Sequence, residues 1–387
     1  SATPTIGPTE APSVTPTIGP TEAPSVTPTI GPTEAPSPTP TPAPWGFAQK
    51  ISAPDPSTRG WFGQSVAIFG NNLVVGELFG LNVDNVQAGV ANIYTTMDGG
   101  ATWSFVQELQ APDGADEDRF GFSVAISASN VVVGAPSDDD NGDNSGAAYM
   151  YRTTDGGATW NFTEKLLAPD GASDDEFGNS VAFSESNVFV GARFDDDVGS
   201  VYVFSTTGAT WNFTEKLVSP DTPSGGENFG SSVAMFGNIL VVGEVFGDGL
   251  STNSGTAFVF NTTDGGATWD FVQELVAPDG SSGDQFGAAV AIYGNYVIVG
   301  APSDDDNGGQ SGSAYLFNTT DGGATWAFVE KLISPDAAAS DLFGLSVAIY
   351  GNDVVVGASG DDDGGSSSGS AYVYTNGGAT WPFVVKL

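Results

Sequence analysis

The sequence predicts an all-β fold: a six-bladed β-propeller of four-stranded antiparallel blades, preceded by an extended stalk rich in proline and threonine. Three observations lead to this prediction. A unit of roughly 57 residues occurs six times. Each copy contains four short runs rich in Val, Ile, Phe, Tyr and Thr, separated by Gly, Asp and Asn turns. No apolar pattern of helical period extends over ten residues.

Residues 1–44 form the first of two predicted domains and differ in composition from residues 45–387, the predicted propeller. A 12-residue unit starts at Thr3, Thr15 and Thr27 and then gives way to alternating prolines. Proline fixes φ and removes backbone donors, so we expect polyproline II, with a reach of roughly 135 Å if fully extended. The composition is typical of O-glycosylated stalks, and a plain flexible linker is the alternative. The candidate O-glycosylation sites are Thr3, Thr5, Thr9, Ser13, Thr15, Thr17, Thr21, Ser25, Thr27, Thr29, Thr33, Ser37, Thr39 and Thr41.

Each of the six copies opens with the dipeptide Phe-Gly, at Phe62, Phe120, Phe177, Phe229, Phe286 and Phe343. In the second copy we expect strands over 122–126, 130–133, 147–151 and 160–167. A four-stranded antiparallel unit that cannot bury both faces alone, repeated in tandem, is typical of the blades of a propeller.

The number of blades follows from an internal duplication. Copies one and four, two and five, and three and six share loop sequences, and the members of each pair lie 166 or 167 residues apart. Three blades duplicated once give six blades. Seven blades remain the alternative, although the sequence holds no seventh set of first to third strands.

One strand is left over. The Trp-x-Phe strand that ends each copy occurs seven times, and both Trp45/Phe47 and Trp381/Phe383 match the place of the last strand in the sixth blade. Either the short C-terminal segment frays or lies as a fifth, outer strand, or the surplus strand is an assembly strand that pairs with a neighbouring molecule.

The composition excludes several classes of function. The formal net charge of -38 argues against nucleic-acid binding, which needs a basic face. The absence of Cys and His excludes thiol chemistry, zinc fingers and histidine catalysis. No run of 18 apolar residues is present, so we expect no membrane span.

Asp-rich loops follow the second strand of several copies and should make one face of the propeller acidic. Carboxylate oxygens at close spacing suit Ca²⁺, and solvated acidic loops without a metal are the alternative. The candidate Ca²⁺ ligands are Asp138, Asp140, Asp143, Asp195, Asp197, Asp304, Asp306, Asp361 and Asp363.

Four Asn-x-Thr sequons predict N-glycosylation at the rim, on or just before outermost strands. They are Asn161, Asn212, Asn261 and Asn318. Together with the Thr/Pro-rich stalk they favour a secreted glycoprotein of the cell surface or matrix.

Two motifs resemble known propeller families over residues 45–387. The Phe-Gly of copies two and five, followed by Gly-Ala-Pro at 134–136 and 300–302, resembles the FG-GAP repeat of integrin-alpha-type propellers. The stretch 153–160 resembles the Asp-box of sialidase-like (BNR) propellers, and it recurs around Asp98, Asp264 and Asp321. The second resemblance implies a turn-locking role for these aspartates rather than catalysis.

The family sites do not carry over to this chain. Sialidases use an arginine cluster, and the four Arg of this chain do not repeat in register. The integrin-type calcium loop lies between the first and second strands, where this chain has only tight turns. We therefore expect no catalytic residues and no enzyme, although Ca²⁺ in the Asp-rich loops stays open.

These inferences lead to one main hypothesis and two alternatives. The first is an extracellular, glycosylated structural protein that assembles with copies of itself into a surface fibre or matrix through the spare strand and the stalk. The second is a Ca²⁺-dependent adhesion or lectin-like module that binds a glycan or protein ligand on the acidic face. A glycan-cleaving enzyme is the weakest alternative.

Overall fold

Six four-stranded antiparallel sheets account for the regular structure of the chain, which confirms the predicted six-bladed β-propeller. The computed structural model describes residues 46–55, 60–184, 186–206, 208, 210–221 and 225–387. These residues all belong to the compact unit Trp45–Leu387. The predicted stalk with its O-glycosylation candidates, and Trp45 itself, lie outside the described residues.

Each blade is a simple meander in which neighbouring strands along the chain pair with each other. Blades one to three contain β1 (Phe62–Phe69), β2 (Asn72–Glu77), β3 (Val90–Thr95) and β4 (Ser104–Leu109); β5 (Ser123–Ile126), β6 (Asn130–Ala135), β7 (Ala147–Arg152) and β8 (Asn161–Leu166); β9 (Phe177–Phe183), β10 (Asn187–Ala192), β11 (Ser200–Thr206) and β12 (Trp211–Val218). A short 3₁₀ turn, Asp195–Asp197, lies between β10 and β11.

Blades four to six repeat the pattern. They contain β13 (Phe229–Phe236), β14 (Ile239–Glu244), β15 (Thr256–Asn261) and β16 (Asp270–Leu275); β17 (Ala289–Tyr293), β18 (Tyr296–Ala301), β19 (Ser313–Asn318) and β20 (Ala327–Leu332); β21 (Phe343–Tyr350), β22 (Asp353–Ala358), β23 (Ser370–Thr375) and β24 (Phe383–Lys386).

The second and third strands of blades two to five are continuous apolar runs because both of their faces are covered by neighbouring blades. Val132 in β6 packs toward the third blade, and the adjacent Val131 and Val133 pack toward the first blade. The opening Phe of a blade completes the same cluster: Phe177 is fully buried against Tyr202, Val190 and residues of the second blade. Burying a Phe side chain contributes about 2–3 kcal/mol, so the Phe-Gly dipeptides of blades two to six are anchors between blades.

The hairpin between the third and fourth strands is locked by side chains rather than by packing. In blade two, the Asp155 carboxylate accepts hydrogen bonds from the Thr159 amide and hydroxyl at 2.9 and 2.6 Å, and from the Thr153 hydroxyl at 2.8 Å. These bonds lower the pKa of the exposed Asp155 carboxyl to about 2. The same arrangement occurs around Asp98 and Asp321. The contacts are those of a structural turn.

Candidate functional site

Five interfaces between consecutive blades share one set of backbone contacts. At the interface of blades two and three, the Phe177 amide donates to the Ser145 carbonyl at 3.0 Å. A serine hydroxyl, here Ser123 donating to the Gly178 carbonyl at 2.8 Å, adds a side-chain bond at four of the five interfaces, and Ala289 replaces that serine in blade five. Gly134 leaves no room for a side chain, since a Cβ there would lie 2.0 Å from the Gly178 oxygen. The equivalent glycines of the five interfaces are Gly76, Gly134, Gly191, Gly243 and Gly300.

A second contact joins the outer strands of consecutive blades. The Gln107 side chain of β4 accepts a hydrogen bond from the Trp160 amide at 2.9 Å and donates to the Trp160 carbonyl at 2.7 Å. A Gln or Glu four residues after the outer-strand Trp accepts this amide hydrogen bond at every one of the five interfaces, and only the two Gln also donate to the carbonyl. The partners are Trp160, Trp211, Trp269, Trp326 and Trp381.

The sixth interface, between blades six and one, is not made among the described residues. Gly357 is the counterpart of Gly134, yet a Cβ there would meet only atoms of Ser346 in its own blade. Gly63 is the counterpart of Gly178, and nothing lies within 4 Å of its Cβ position. We call these two unsatisfied faces, Gly357 and Ser346 on blade six and Phe62 and Gly63 on blade one, the seam.

Apolar side chains at the seam are correspondingly exposed. Val66 on β1 is 65% exposed, whereas its counterpart Val124 on β5 is 9% exposed. On the other side, Tyr350 at the end of β21 is 76% exposed, although it stacks on Tyr293 with ring centroids 4.7 Å apart. Two apolar sheet faces that are buried at the other interfaces are therefore open to solvent here.

Residues 46–55, the N-terminal segment, lie against blade one in the manner of an outer strand of a preceding blade. Gln49 accepts a hydrogen bond from the Trp103 amide at 2.6 Å and donates to its carbonyl at 3.2 Å, as Gln107 does to Trp160. The Tyr94 hydroxyl donates to the Ser52 carbonyl at 2.9 Å, and Tyr374 makes the equivalent bond to Ile333. The N-terminal segment forms no strand, because no third strand lies beside it in the described part of the chain.

Of the two candidates for the last strand of blade six, only the C-terminal one forms that strand. β24, which contains Phe383, pairs with β23 and fills the slot. Phe47 belongs to the N-terminal segment and is 85% exposed. β24 is four residues long, whereas the other outer strands have six to eight residues. It has Val385 at the position that corresponds to Gln49, and a valine side chain cannot form hydrogen bonds with the Trp103 backbone.

The Asp-rich loops surround lysine ammonium groups. In blade five, Lys331 Nζ lies 2.9 Å from both Asp279 and Asp304 and 2.5 Å from Asp306. The Tyr315 hydroxyl lies 2.9 Å from Asp279 and 2.6 Å from Asp304. Burial raises the pKa of the Asp279 carboxyl, but the bonds from Lys331 and Tyr315 outweigh it and the pKa is lowered.

Blades two, three and six contain the same cluster around Lys165, Lys216 and Lys386. Of the predicted calcium ligands, Asp138, Asp140, Asp195, Asp304, Asp306, Asp361 and Asp363 contact these lysines, whereas Asp143 and Asp197 do not. In blade six, one oxygen each of Asp336, Asp361 and Asp363 lies within 4.8 Å of the others, with Lys386 Nζ 2.7–2.8 Å from all three. Calcium binding by these loops stays a prediction.

The predicted ligands did not include the lysine of each cluster, the aspartate that the preceding blade contributes, or Asp196 beside Lys216 in blade three. The aspartates from the preceding blade lie in the segment that follows its outer strand. They are Asp113, Asp170, Asp279 and Asp336. The signal was present: the lysine stands five residues after the outer-strand Trp in the copies that have an Asp-Asp-Asp loop, and the aspartate stands ten residues after the preceding Trp.

Blades one and four lack the ammonium. Glu274 takes the register position of Lys331, opposite Phe258 instead of a tyrosine. The buried carboxylate is Glu244, which replaces the Ala of Gly-Ala-Pro and accepts a hydrogen bond from the Thr256 hydroxyl at 2.9 Å. Burial, followed by repulsion from Glu227 and Asp221, raises the pKa of Glu244 to about 7.

This shift predicts how stability depends on pH. Because the folded-state pKa of Glu244 lies above its unfolded value, the folded protein holds a proton that the unfolded chain releases, and stability is lost as pH rises from about 4.5 to 7.5. We expect Glu244→Gln to remove a pH-dependent loss of about 2 to 3 kcal/mol over that range. Urea unfolding of both proteins at several pH values in metal-free buffer measures the difference, and parallel pH profiles would contradict the assignment.

The remaining predicted sites lie away from the seam. The sequons Asn161, Asn212, Asn261 and Asn318 lie in blades two to five, at the start of an outer strand or the end of a third strand. A cavity of about 780 Å³ is lined by residues of all six blades, among them Gln64, Asn179, Arg193 and Asn228, and its described lining holds no Asp or Glu. This lining offers no pair of carboxylates for glycoside hydrolysis.

Comparisons with known proteins agree with this geometry. Solved structures of similar fold include the periplasmic gluconolactonase PpgL of Pseudomonas aeruginosa, with a TM-score of 0.58 and 14% identity over 89% of this chain and 90% of that one. At this identity the likeness concerns the fold alone. Sqt1 of Saccharomyces cerevisiae matches at a TM-score of 0.45, with 10% identity over 84% of this chain and 86% of that one. Within the described residues, no helix has the length and apolar character needed to cross a membrane.

The sequence comparisons identify the repeat. Integrin alpha-2 of Bos taurus is 31% identical over 141 residues, which is 32% of this chain and only 12% of the length of that protein. The model of the FG-GAP repeat matches six times, at residues 45–94, 103–151, 160–204, 211–260, 269–317 and 326–374. Each match begins at the Trp of the Trp-x-Phe sequence pattern and ends in the third strand of a blade. Together the matches cover the first three strands of all six blades and every outer strand except β24. The chain therefore belongs to the FG-GAP repeat family.

Proposed function

We propose that this chain is an extracellular structural protein whose propellers join head to tail, with blade six of one copy bound to blade one of the next. The observation that carries the proposal is the seam. The seam has two halves, Gly357 and Ser346 on blade six and Phe62 and Gly63 on blade one. The counterparts of these residues contact each other at the five other interfaces, whereas here both halves lack a partner among the described residues.

The partner is a second copy rather than the other end of the same chain. We infer this because the contacts repeated at the five other interfaces are missing here among the described residues: nothing lies within 4 Å of the Gly63 Cβ position, and the nearest atoms to a Cβ at Gly357 belong to Ser346 of its own blade. An interface whose rotation does not close a ring continues as an open assembly when a further copy supplies the next half.

The joint requires a strand exchange, because β24 and the N-terminal segment compete for one place. A neighbour's blade six supplies the three strands β21, β22 and β23, and the N-terminal segment carries the Gln49 contact that β24 lacks. Lys50 stands five residues after Trp45 and has no ion pair among the described residues, and in the joint it takes the position of Lys386 beside Asp361 and Asp363. When the N-terminal segment adds to the edge of β23 in the neighbouring copy, it gains backbone hydrogen bonds to that strand and keeps the contact of Gln49 with Trp103.

The distribution of the sequons supports this role. All four lie in blades two to five, so glycans there would leave the faces of blades one and six free for assembly. Similarity to part of integrin alpha-2 is consistent with an extracellular binding module, and the described cavity lining without carboxylates argues against a glycosidase. Adhesion through protein contacts is thus favoured over catalysis.

Engineered disulfides test the proposal cleanly because the chain has no Cys. Within one chain, Pro382 lies opposite Thr375. Gly46 has the same position after its Trp as Pro382, so in the joint Gly46 of one copy should lie opposite Thr375 of the next. We expect the Gly46→Cys/Thr375→Cys protein to give a ladder of linked oligomers after mild oxidation. The matched Pro382→Cys/Thr375→Cys protein should link within one chain and give no ladder.

Two results would contradict head-to-tail joining. An intrachain disulfide in the Gly46→Cys/Thr375→Cys protein would mean that the ring closes on itself. No disulfide at all, with the control pair linked, would mean that the N-terminal segment never pairs with β23.

A further inference from the structure

The last strand of blade six is bonded to a neighbouring blade on one side only. In blade two, Trp160 of the outer strand bonds to Gln107 of the preceding blade, and Glu164 bonds to the blade that follows. In β24, the Trp381 amide makes the first of these contacts, to blade five at 2.7 Å. Val385 stands at the position of Glu164, and a valine side chain accepts no hydrogen bond from a following blade.

The contacts of β24 within blade six and with blade five are complete. Trp381 is buried, and its ring meets the Tyr296 ring edge-on at a centroid distance of 5.2 Å. Lys386 Nζ lies 2.7–2.8 Å from all three carboxylates of its cluster. A strand that comes from another copy therefore finds the Trp site and the lysine site of this blade occupied.

The N-terminal segment carries the side chains that fit these same sites. Its Phe47 and Lys50 stand three residues apart, as Phe383 and Lys386 do. Phe47 is 85% exposed and Lys50 has no ion pair among the described residues, whereas Phe383 is 42% exposed and Lys386 has three ion pairs. Two segments thus match one place, and the place beside β23 is taken by the chain's own C-terminal strand.

We propose that β24 is an inhibitory strand that keeps the free chain from joining other copies, and that its release controls assembly. This inference rests on the head-to-tail joint proposed above and concerns its regulation. The contacts of β24 must break before the N-terminal segment of another copy can form them, so only molecules with a released β24 are competent to join. Gln49 holds the N-terminal segment on the Trp103 backbone, so the exchange displaces β24 and not this segment.

Release before encounter has a kinetic signature. At high protein concentration the rate of joining should reach a limit that is set by the loss of β24. Joining without release should instead become faster with concentration throughout the range. Light scattering after a jump in concentration measures this rate.

A reversible lock on β24 tests its inhibitory role in the full chain. The Thr375→Cys/Pro382→Cys protein links β24 to β23 when oxidised and frees it when reduced, and the chain has no Cys of its own. We expect single chains at every concentration in the oxidised protein and strings of chains in the reduced protein. Sedimentation velocity of the two states distinguishes these forms.

Lys386→Met, without the lock, should shorten the half-time of joining at least ~10-fold, because it removes the cation that holds β24 among its carboxylates. The vacated place is then open to Lys50 of the next copy. Lys331→Met is the matched control: it makes the same change in blade five, whose outer strand is not exchanged, so it should leave the half-time unchanged.

The outcomes separate the inhibition from the joint itself. Oxidised Thr375→Cys/Pro382→Cys protein that joins as fast as the reduced protein would overturn the inhibition and leave head-to-tail joining in place. Equal half-times for Lys386→Met and the unaltered chain would do the same. Single chains in every case, the reduced protein and Lys386→Met included, would refute the joint and its regulation together.

Discussion

Gly243→Ala should destabilise the folded chain by about 2–3 kcal/mol, because this glycine closes the interface of blades four and five. A methyl group there would lie 2.0 Å from the Gly287 carbonyl oxygen, a backbone atom held between two sheets. The blades must separate or shift to admit it, and either movement exposes the Phe286 cluster. Equilibrium unfolding in urea, followed by tryptophan fluorescence at low protein concentration, measures the change.

Gly357→Ala is the matched control, and it distinguishes the seam from the other interfaces. Its methyl group would meet only the hydroxyl of Ser346, which can rotate away. We therefore expect the stability of the isolated chain to change by less than about 1 kcal/mol, while head-to-tail joining is lost. Equal destabilisation by Gly243→Ala and Gly357→Ala would mean that blade six is packed on blade one in solution, against the account of the seam.

Lys331→Met should cost about 3 kcal/mol, the loss typical of removing one partner from a buried ion pair. The Lys331 side chain is 17% exposed, and without it three carboxylates face one another with only the Tyr315 hydroxyl between them. Because burial is outweighed by the hydrogen bonds from Lys331 and Tyr315, which lower the folded-state pKa of Asp279, the part of this stabilisation that depends on Asp279 is lost only as pH falls through that lowered value. Urea unfolding at pH 7 and pH 4 provides the measurement.

Lys50→Met is the control for this change, since Lys50 stands at the same place after its Trp but has no ion pair among the described residues. It should change the stability of the isolated chain by less than about 0.5 kcal/mol. A loss below 1 kcal/mol for Lys331→Met at pH 7 would show that the lysine-centred clusters contribute no more than surface ion pairs do.

The blades were predictable from sequence because their signals are local and repeated. The Phe-Gly dipeptide, the β-branched runs and the outer-strand Trp return at a nearly regular spacing, and six copies gave six sheets. The spare strand was also visible, since Trp45 and Trp381 open the same pattern. The sequence could not say which of them fills blade six. The distinguishing contact is the hydrogen bond that Gln49 accepts from the Trp103 amide and that Val385 cannot accept, and Trp103 lies 54 positions away from Gln49 in the chain.

The seam and the lysine clusters were hidden for different reasons. Phe62, Gly63 and Gly357 are of the same residue types as their counterparts at the five closed interfaces. Only the three-dimensional structure therefore shows that nothing lies within 4 Å of the Gly63 Cβ position. Each lysine cluster joins carboxylates from two blades, with Lys331 and Asp279 separated by 52 residues. A search for acidic loops alone finds Asp304 and Asp306 and predicts a metal, because the compensating ammonium lies elsewhere in the sequence.

Electron microscopy of the purified chain over a range of concentrations tests the central claim most directly. Head-to-tail joining through the seam predicts discs at low concentration and strings of discs at high concentration, with the strings absent in Gly357→Ala. Closed single discs at every concentration, in the unaltered protein and the variant alike, would contradict it.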